Sequence, residues 1–259
     1  MTAVALDQVV AYLDELLDVA NTPDYPQAIN GLQLSNSGTV RHVAAAVDFS
    51  GPVVEDAVSA GADLLFVHHG MFWGGLEPIV DRRYARLRSL IQNGVAVYAS
   101  HLPLDRHARY GNGVLLAREL GLTPAGEFAR FKTIFAGVRG EDDLPTADIY
   151  ARTRDFAARH GGEARMSPVP PDHRTRRWAI CTGAGANADT LGEAREAQID
   201  TLIVGEGPHW TAVAAAESDF AIIYAGHYAT ETLGVRALAE HLAERFAVQW
   251  SFLERPTGL

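Results

Sequence analysis

The chain has 259 residues, of which 47% are apolar, a length and composition that suit one large or two interlinked globular domains. Its formal net charge of −10 disfavours binding to a nucleic-acid backbone, which needs a basic surface, and with it a role in transcription. Cys181 is the only cysteine, so no disulfide can form within the chain and we expect a reducing compartment. We find neither a signal-peptide pattern nor a run near the ~20 apolar residues of a membrane helix, and expect a cytoplasmic protein without membrane association.

Apolar periodicity predicts alternating helices and strands in the first half of the chain. Leucines and valines at helical spacing between residues 6 and 17 predict an amphipathic first helix. Further elements are expected as strands at 43–49, 64–67 and 95–99, and as helices from Gly51-Pro52 onward, at 82–92 and at 114–120. Residues 123–171 are the least regular part and contain one strand candidate, 133–138, and one helix candidate, 146–160.

The second half alternates more regularly. The expected strands are 177–181, 201–204, 221–225 and 247–253, and the expected helices are 188–198, 209–216 and 230–245. Alternation at this pitch predicts a largely parallel sheet with helices on both faces. Ligand sites in such folds lie at the carboxyl ends of the strands.

Two phrases of the sequence occur once in each half. Tyr98-Ala99-Ser100-His101 leads to Asp105, and Tyr224-Ala225-Gly226-His227 leads to Glu231. Upstream, alanines and an aspartate precede a buried strand in both halves, with Asp63 before the first strand and Asp200 before the second. Two matches in the same order predict a duplicated unit. We therefore predict an α/β fold of two interlinked, internally similar units with largely parallel sheets, divided as residues 1–124 and 125–259.

Histidines follow three of the predicted strands: the pair His68 and His69, then His101, then His227. Imidazole and carboxylate groups on rigid elements are what a metal site needs, and we expect this site at the carboxyl ends of the strands. Gly70 would end the first strand, so that the side chains of the histidine pair can face one site. A His-His pair alone is more often incidental, and the later carboxylates could cap helices, although capping explains neither histidine. The whole set exceeds the ligands of one ion and favours a two-metal centre.

Four other features each allow two interpretations. Gly183-x-Gly185 could hold a phosphate before a helix, but a plain tight turn is the default. Cys181 could be a nucleophile, but a small buried hydrophobe is the default. Phe72 and Trp73 could stack a base or wall the pocket, and the sequence favours neither. The arginine cluster could bind a small anion, but a solvated helix face is the default; its members are Arg82, Arg83, Arg86 and Arg88.

Six motifs in one order resemble a known family. They are Asn30-Gly31-Leu32-Gln33, His68-His69-Gly70 with Phe72-Trp73, His101-Leu102-Pro103-Leu104-Asp105, Cys181-Thr182-Gly183-x-Gly185, Gly205-Glu206, and Ala225-Gly226-His227-x-Ala229-Thr230-Glu231. Together they resemble the dinuclear-metal-centre hexameric family of GTP cyclohydrolase 1 type 2 homologues, also called NGG-interacting-factor-3-like, from about residue 5 to residue 255. The chain is similar to the short members, which lack an inserted domain.

The resemblance implies a toroidal homohexamer with metal sites that face its cavity. It implies two divalent ions per subunit, of a kind that suits His and carboxylate ligands, such as Zn, Fe, Mn or Ni. The implied ligands are His68, His69, Asp105, His227 and Glu231, with Glu231 bridging the ions. His101 matches a family histidine near the metals, as a variable ligand or a supporting residue, and Glu206 matches as well, although Gly207 stands where bulkier residues are usual.

We therefore expect a metal-dependent hydrolase acting on a small phosphorylated or heterocyclic substrate, and the family name implies opening of the GTP imidazole ring. Metal-activated water would be the nucleophile, with Glu206 or His101 as the proton carrier. The alternative is a non-catalytic hexamer that handles metal ions or has a regulatory role. Turnover of GTP or a phosphoester by the metal-loaded protein would distinguish the two.

Overall fold

The computed structural model describes residues 3–259, so that the first two residues of the predicted first unit lie outside the described range. The chain forms two compact units: the first comprises Met1–Leu104 and Gly234–Arg255, and the second comprises Asp105–Leu233 and Pro256–Leu259. The predicted division between residues 124 and 125 differs from this and falls inside the second unit. Local periodicity could not reveal the difference, because the chain returns to the first unit only near its end.

The strands are short and mostly buried. In chain order they are β1 (Val4–Ala5), β2 (Gly31–Leu34), β3 (Thr39–Val40), β4 (His42–Asp48), β5 (Leu64–His69), β6 (Ala96–Ala99), β7 (Gly126–Phe131), β8 (Ile134–Pro145), β9 (Arg165–Met166), β10 (Arg174–Cys181), β11 (Thr201–Val204), β12 (Ala221–Tyr224) and β13 (Gln249–Phe252).

The helices connect these strands. They are α1 (Leu6–Leu16), a 3₁₀ turn (Val19–Asn21), α2 (Gly51–Ser59), α3 (Asp81–Asn93), α4 (Leu102–Asp105), α5 (Asn112–Glu119), α6 (Thr146–Arg159), α7 (Ala188–Glu196), α8 (His209–Ala216) and α9 (His227–Phe246). Within residues 3–259, every helix is too short or too polar to cross a membrane.

The first unit contains a five-stranded sheet in the order β13-β4-β5-β6-β2. The first four of these strands are parallel, and β2 pairs antiparallel with β6 at the edge. All six residues of β5 are buried, and this continuous burial is typical of a central parallel strand covered on both faces. Alanine, valine and leucine side chains of β4, β5 and β6 pack with α2 and α3 in one apolar cluster.

The second unit contains a six-stranded sheet in the order β7-β8-β10-β11-β12-β9. Its three central strands, β10, β11 and β12, are parallel, and the strands on either side are antiparallel. The antiparallel strands come from the stretch that looked least regular in the sequence, residues 123–171. Both sheets are therefore parallel at the centre, which confirms the predicted α/β class.

The two sheets share one internal plan, which confirms the predicted similarity of the units. In each, three parallel strands follow in sequence order, with α2 and α3 between them in the first unit and α7 and α8 in the second. The aspartate before the middle strand has the same backbone partners in both. Asp63 N donates to His42 O at 2.9 Å, and Asp200 N donates to Arg177 O at 2.9 Å. The peptide oxygens of these aspartates accept from Ala96 N and Ala221 N, each at 2.9 Å.

Candidate metal centre

Three histidines of the first unit form a buried group at the carboxyl ends of neighbouring parallel strands. β5 ends at His69, and His101 follows the end of β6. One ring nitrogen from each of His68, His69 and His101 lies within 4.8 Å of the others, which is a spacing that a metal ion can span. Both members of the His-His pair therefore present a ring nitrogen to one group, and the strand ends immediately before Gly70.

The Nδ1 atom of each of these rings is held by an oxygen that can only accept a hydrogen bond. His68 Nδ1 donates to Ser100 O at 2.9 Å, His69 Nδ1 donates to an Asp48 carboxylate oxygen at 2.8 Å, and His101 Nδ1 donates to Asp24 at 2.9 Å. The proton therefore lies on Nδ1, and Nε2 is the nitrogen that can coordinate a metal. A carboxylate or carbonyl behind the ring is the usual second partner of a metal-binding histidine.

Asp24 accepts several hydrogen bonds besides that from His101. It accepts from His101, from the backbone N of Leu102 at 2.9 Å and from Asn30 at 2.8 Å. Burial raises the pKa of Asp24, but the hydrogen bonds from His101 and Asn30 and the charge of His101 outweigh burial and hold the pKa below its ordinary value. The carboxylate stays ionised and fixes the ring of His101.

The side-chain amides of the motif Asn30-Gly31-Leu32-Gln33 hold the backbone beside His101 and beside the pair His68 and His69. Asn30 Oδ1 accepts from the backbone N of His101 at 2.8 Å. Gln33 Oε1 accepts from the backbone N of Met71 at 2.7 Å, just after the histidine pair. The motif therefore fixes the backbone at His101 and at Met71, just after the histidine pair.

The ring of Trp73 packs against two of the histidine rings. Its ring centroid lies 4.5 Å from that of His69 and 4.5 Å from that of His101. Phe72 instead lies under the guanidinium of Arg83, at 5.6 Å. Trp73 therefore walls the histidine group and limits the movement of two rings.

The second unit presents a histidine and three carboxylates. His227 is the first residue of α9, and its Nε2 lies 3.2 Å from a carboxylate oxygen of Glu231, one turn later and almost fully buried. Its Nδ1 donates to Glu206 at 2.9 Å. Asp105 is buried, and one of its carboxylate oxygens accepts from the side-chain amide of Asn112 at 2.8 Å.

The electrostatics of His227 favour a cation at this position. Burial lowers the pKa of His227, but its hydrogen bonds and charge interactions with Glu231 and Glu206 outweigh burial and raise the pKa to about 9. The helix-capping alternative for Glu231 is not favoured, since the residue lies beyond the first turn of α9 and its carboxylate contacts the imidazole. Two carboxylates beside one ring attract a proton or a metal ion to the same place.

The Gly183-x-Gly185 turn provides the space for Glu231. Gly183 has φ +61°, and a Cβ at this position would collide with the Glu231 carboxylate and would lie 3.3 Å from His227 Nε2. The following helix, α7, is already capped by Asn187, whose side chain accepts from Asp189 N and Thr190 N. This geometry supports the tight turn that was the default interpretation, rather than a phosphate site.

Cys181 lies at the end of β10, near the carboxylates of the second unit. Burial raises the pKa of its thiol to about 12, and the charges of Asp105, Glu193 and Glu231 act in the same direction. A thiol with so high a pKa is not a nucleophile at neutral pH, because the thiolate is the reactive form. Cys181 is partly buried and packs against the apolar cluster of the second unit, which agrees with a packing role for this small side chain.

Sequence reasoning named seven residues. The structure places five of them at or just after a strand end or at the start of a helix, namely His68, His69, His101, Glu206 and His227, whereas Asp105 ends α4 and Glu231 is the fifth residue of α9. Sequence reasoning missed Asp24 and Asp48, which hold two of the histidine rings. Asp48 ends β4 and pairs with His69 in the neighbouring strand, a register that only the structure shows. Asp24 lies in an irregular loop among prolines, where no periodicity points to it.

The comparisons with known proteins assign the chain to a family. A family model described as Duf34/NIF3 (NGG1p interacting factor 3) matches residues 4–257. The chain is 38% identical to a protein of Deinococcus radiodurans named GTP cyclohydrolase 1 type 2 homolog, over 98% of this chain and 94% of that protein. A Pyrococcus abyssi protein of the same name is 36% identical, over 98% and 99% of the two chains.

A solved structure agrees with these relatives. TTHA1606 from Thermus thermophilus has a TM-score of 0.85 at 36% identity, and the match covers 99% of this chain and 100% of that one. The fold, the histidine and carboxylate groups and the near-complete matches define an α/β protein with residues that could hold a metal ion. The chain belongs to the Duf34/NIF3 family, which confirms the resemblance found in the sequence.

Proposed function

We propose that this protein binds two divalent metal ions and uses them to hydrolyse a small phosphorylated or heterocyclic molecule. The ligands are His68, His69, Asp105, His227 and Glu231, with Glu231 as the bridge; this is the set that the family resemblance implies. Zn, Fe, Mn and Ni all accept such nitrogen and oxygen ligands.

One observation carries the proposal. Nδ1 of His68, His69 and His227 is hydrogen-bonded within the same unit to a carbonyl or carboxylate oxygen. This arrangement fixes the tautomer and the ring, and leaves Nε2 as the coordinating atom. His101 has the same arrangement with Asp24, so it can add a further ligand on the histidine side.

A bound divalent ion would supply Lewis acidity and a water that ionises near neutral pH. The residues of the chain orient the ligands and move the proton. Glu206 is the better proton carrier, since its side chain is 43% exposed, whereas that of His101 is only 10% exposed and bonded to Asp24. The names of the relatives, GTP cyclohydrolase 1 type 2 homolog, support a nucleotide or a similar heterocycle as the first substrate to try.

The test is turnover by the purified, metal-loaded protein with GTP and a panel of phosphoesters, beside His68→Ala. Elemental analysis of both proteins gives the bound metal. Turnover by the wild type that the substitution abolishes, together with lost metal, supports the hydrolase. Tight metal binding without turnover of any substrate would contradict the hydrolase and favour the alternative, a non-catalytic metal-handling or regulatory hexamer.

We also propose that the protein assembles as a homohexamer, as the family resemblance implies. Large apolar side chains are exposed in the loop before α3, with Leu76 at 88% and Ile79 at 59%. Exposed apolar groups so close together often mark a surface that another chain covers. Light scattering at micromolar concentration should give a hexamer, and Leu76→Glu should shift it toward smaller species. A wild-type monomer would contradict the proposal.

A further inference from the structure

A cavity of about 270 Å³ lies beside His69 in the first unit and is not accounted for by the proposed metal ligands. Part of its lining comes from the end of β4 and the loop after β5, including Asp48, Phe49 and Trp73. Another part comes from α3, which contributes Arg83 and Arg86. These two arginines belong to the cluster for which the sequence favoured a solvated helix face over an anion site.

Arg83 is already neutralised and held in place. Its side chain is 13% exposed, and it donates to Glu77 O at 3.1 Å and lies 3.6 Å from a carboxylate oxygen of Glu77. Its guanidinium lies 5.6 Å from the ring centroid of Phe72. We therefore assign Arg83 mainly to holding the loop against α3.

Arg86 forms no ion pair within the described chain. Its guanidinium lies 5.6 Å from the ring centroid of Phe49, and its one hydrogen bond within the described chain is a long one of 3.4 Å, from Nε to Arg82 O. No carboxylate among residues 3–259 lies within ion-pair distance of Arg86. The cavity is also lined by the carboxylates of Asp48 and Glu77, but these contact His69 and Arg83 respectively. A half-buried cation without a counter-ion favours an anionic ligand in the space that it faces.

We propose that this cavity binds the phosphoryl group of a small phosphorylated molecule, with Arg86 as the cation that recognises it. A planar guanidinium presents paired donors that match two phosphate oxygens, and the nearby ring of Phe49 limits its movement. The position beside His69 would place the rest of the molecule against the histidine group and Trp73. The inference rests on the proposed function in that it names the substrate class of the same site.

The test measures anion binding itself, apart from turnover. Inorganic phosphate is titrated by calorimetry into the metal-free and the metal-loaded protein, for the wild type, Arg86→Gln and Arg88→Gln. Arg88 is exposed and does not line the cavity, and Arg88→Gln removes the same charge from the same helix. We expect Arg86→Gln to weaken phosphate binding about tenfold or more in both forms, since a charge-assisted bond is lost. Arg88→Gln should change it by at most about twofold.

Two further measurements keep the outcome decisive. Arg86→Lys retains the charge but loses the paired donors, so its affinity for phosphate should lie between those of the wild type and Arg86→Gln. If circular dichroism shows that Arg86→Gln is unfolded, Arg86→Lys takes its place in the comparison. Acetate is titrated as a second probe, and it should bind more weakly than phosphate because it has a single charge and two oxygens. Acetate binding as tightly as phosphate would overturn the assignment to a phosphoryl group.

The result separates this inference from the hydrolase proposal. Equal weakening by Arg86→Gln and Arg88→Gln would show only a general effect of charge, and would overturn the site. Phosphate binding that requires metal and does not change in Arg86→Gln would also reject the phosphate site, but would leave the proposed metal binding unaffected. Arg86-dependent phosphate binding by the metal-free protein supports the site even if the loaded protein hydrolyses nothing, an outcome that would reject only the hydrolase.

Discussion

The two units use the same strand order to present different chemistry. In the first, β5 ends in Val67-His68-His69, and in the second, β11 is followed by Gly205-Glu206, so that His69 and Glu206 occupy equivalent positions. His101 follows β6 just as His227 follows β12. The first unit thus contributes three histidines, whereas the second contributes one histidine among carboxylates.

The supporting residues differ in the same way. Behind His101 the carboxylate is Asp24, which comes from an irregular loop, whereas behind His227 it is Glu206, which comes from the end of the neighbouring strand. One position of the duplicated plan therefore holds a proposed ligand in one unit and the support of a ligand in the other. A duplicated scaffold fixes where side chains emerge, while the residue type decides what each position does.

The largest expected effect concerns the carboxylates of the second unit. In the proposed centre Glu231 bridges two ions, and Glu231→Gln removes the negative charge that lies between two cations. Asp105→Asn weakens the ligand shell of one ion only. We expect Glu231→Gln to lower the bound metal to one ion or none per subunit, while Asp105→Asn retains at least one. Elemental analysis after mild chelation measures this, and two ions retained by Glu231→Gln would reject the bridge.

Substitution of Glu206, at the position equivalent to His69, tests whether this residue transfers a proton in the reaction or only orients the ring of His227. Glu206→Gln keeps an oxygen that can accept from His227 Nδ1, so metal content should stay near that of the wild type. It removes the ionisable group, and we expect kcat to fall by about 10²–10⁴-fold, as for loss of a general acid or base. The control is Glu206→Ala, which should lose metal as well. Unchanged kcat in the glutamine variant would leave Glu206 as a support for His227 alone.

The sequence predicted the parallel strands and the ends of those strands well, because buried parallel strands give continuous apolar runs. It could not place Asp24 or Asp48, since each acts through a partner far away in sequence: Asp24 through His101 and Asp48 through His69. The division that it predicted, at residue 124, also differs from that of the two compact units. The pairing of β13 with β4, which returns residues 234–255 to the first unit, is a long-range contact that leaves no local pattern.

The two carboxylates behind the histidines of the first unit should differ in importance. Asp24 has 6% of its side chain exposed and accepts from His101, Asn30 and the backbone N of Leu102, whereas Asp48 is 41% exposed. Loss of such a support typically lowers metal affinity about 10- to 100-fold. We expect Asp24→Asn near the upper end and Asp48→Asn near the lower end, in competition with a chelator of known affinity. A larger loss in Asp48→Asn would show that burial does not set the strength of the support.

The smallest expected effects concern the matched aspartates that begin the middle strands. Asp63 accepts from the backbone N of Arg41 at 2.8 Å and forms an ion pair with its guanidinium at 3.0 Å. In the second unit Arg176 takes the place of Arg41, and its backbone N donates to the Asp200 carboxylate at 2.9 Å. An asparagine at either position presents an amide group to these donors, so we expect each substitution to lower the free energy of unfolding by about 1–3 kcal/mol at neutral pH.

The difference in free energy of unfolding between the wild type and Asp63→Asn should be smaller in acid than at neutral pH. Burial raises the pKa of Asp63, but the hydrogen bonds and charge of Arg41 outweigh burial and hold the pKa below its ordinary value of 3.8. Because the folded pKa is the lower one, the ionised carboxylate stabilises the fold above pH 3.8, and this contribution is lost as the pH falls through the folded pKa. Urea unfolding of the wild type and Asp63→Asn should therefore differ less at about pH 3 than at about pH 7. An equal difference at both pH values would mean that Asp63 acts as a hydrogen-bond acceptor whether or not it is charged.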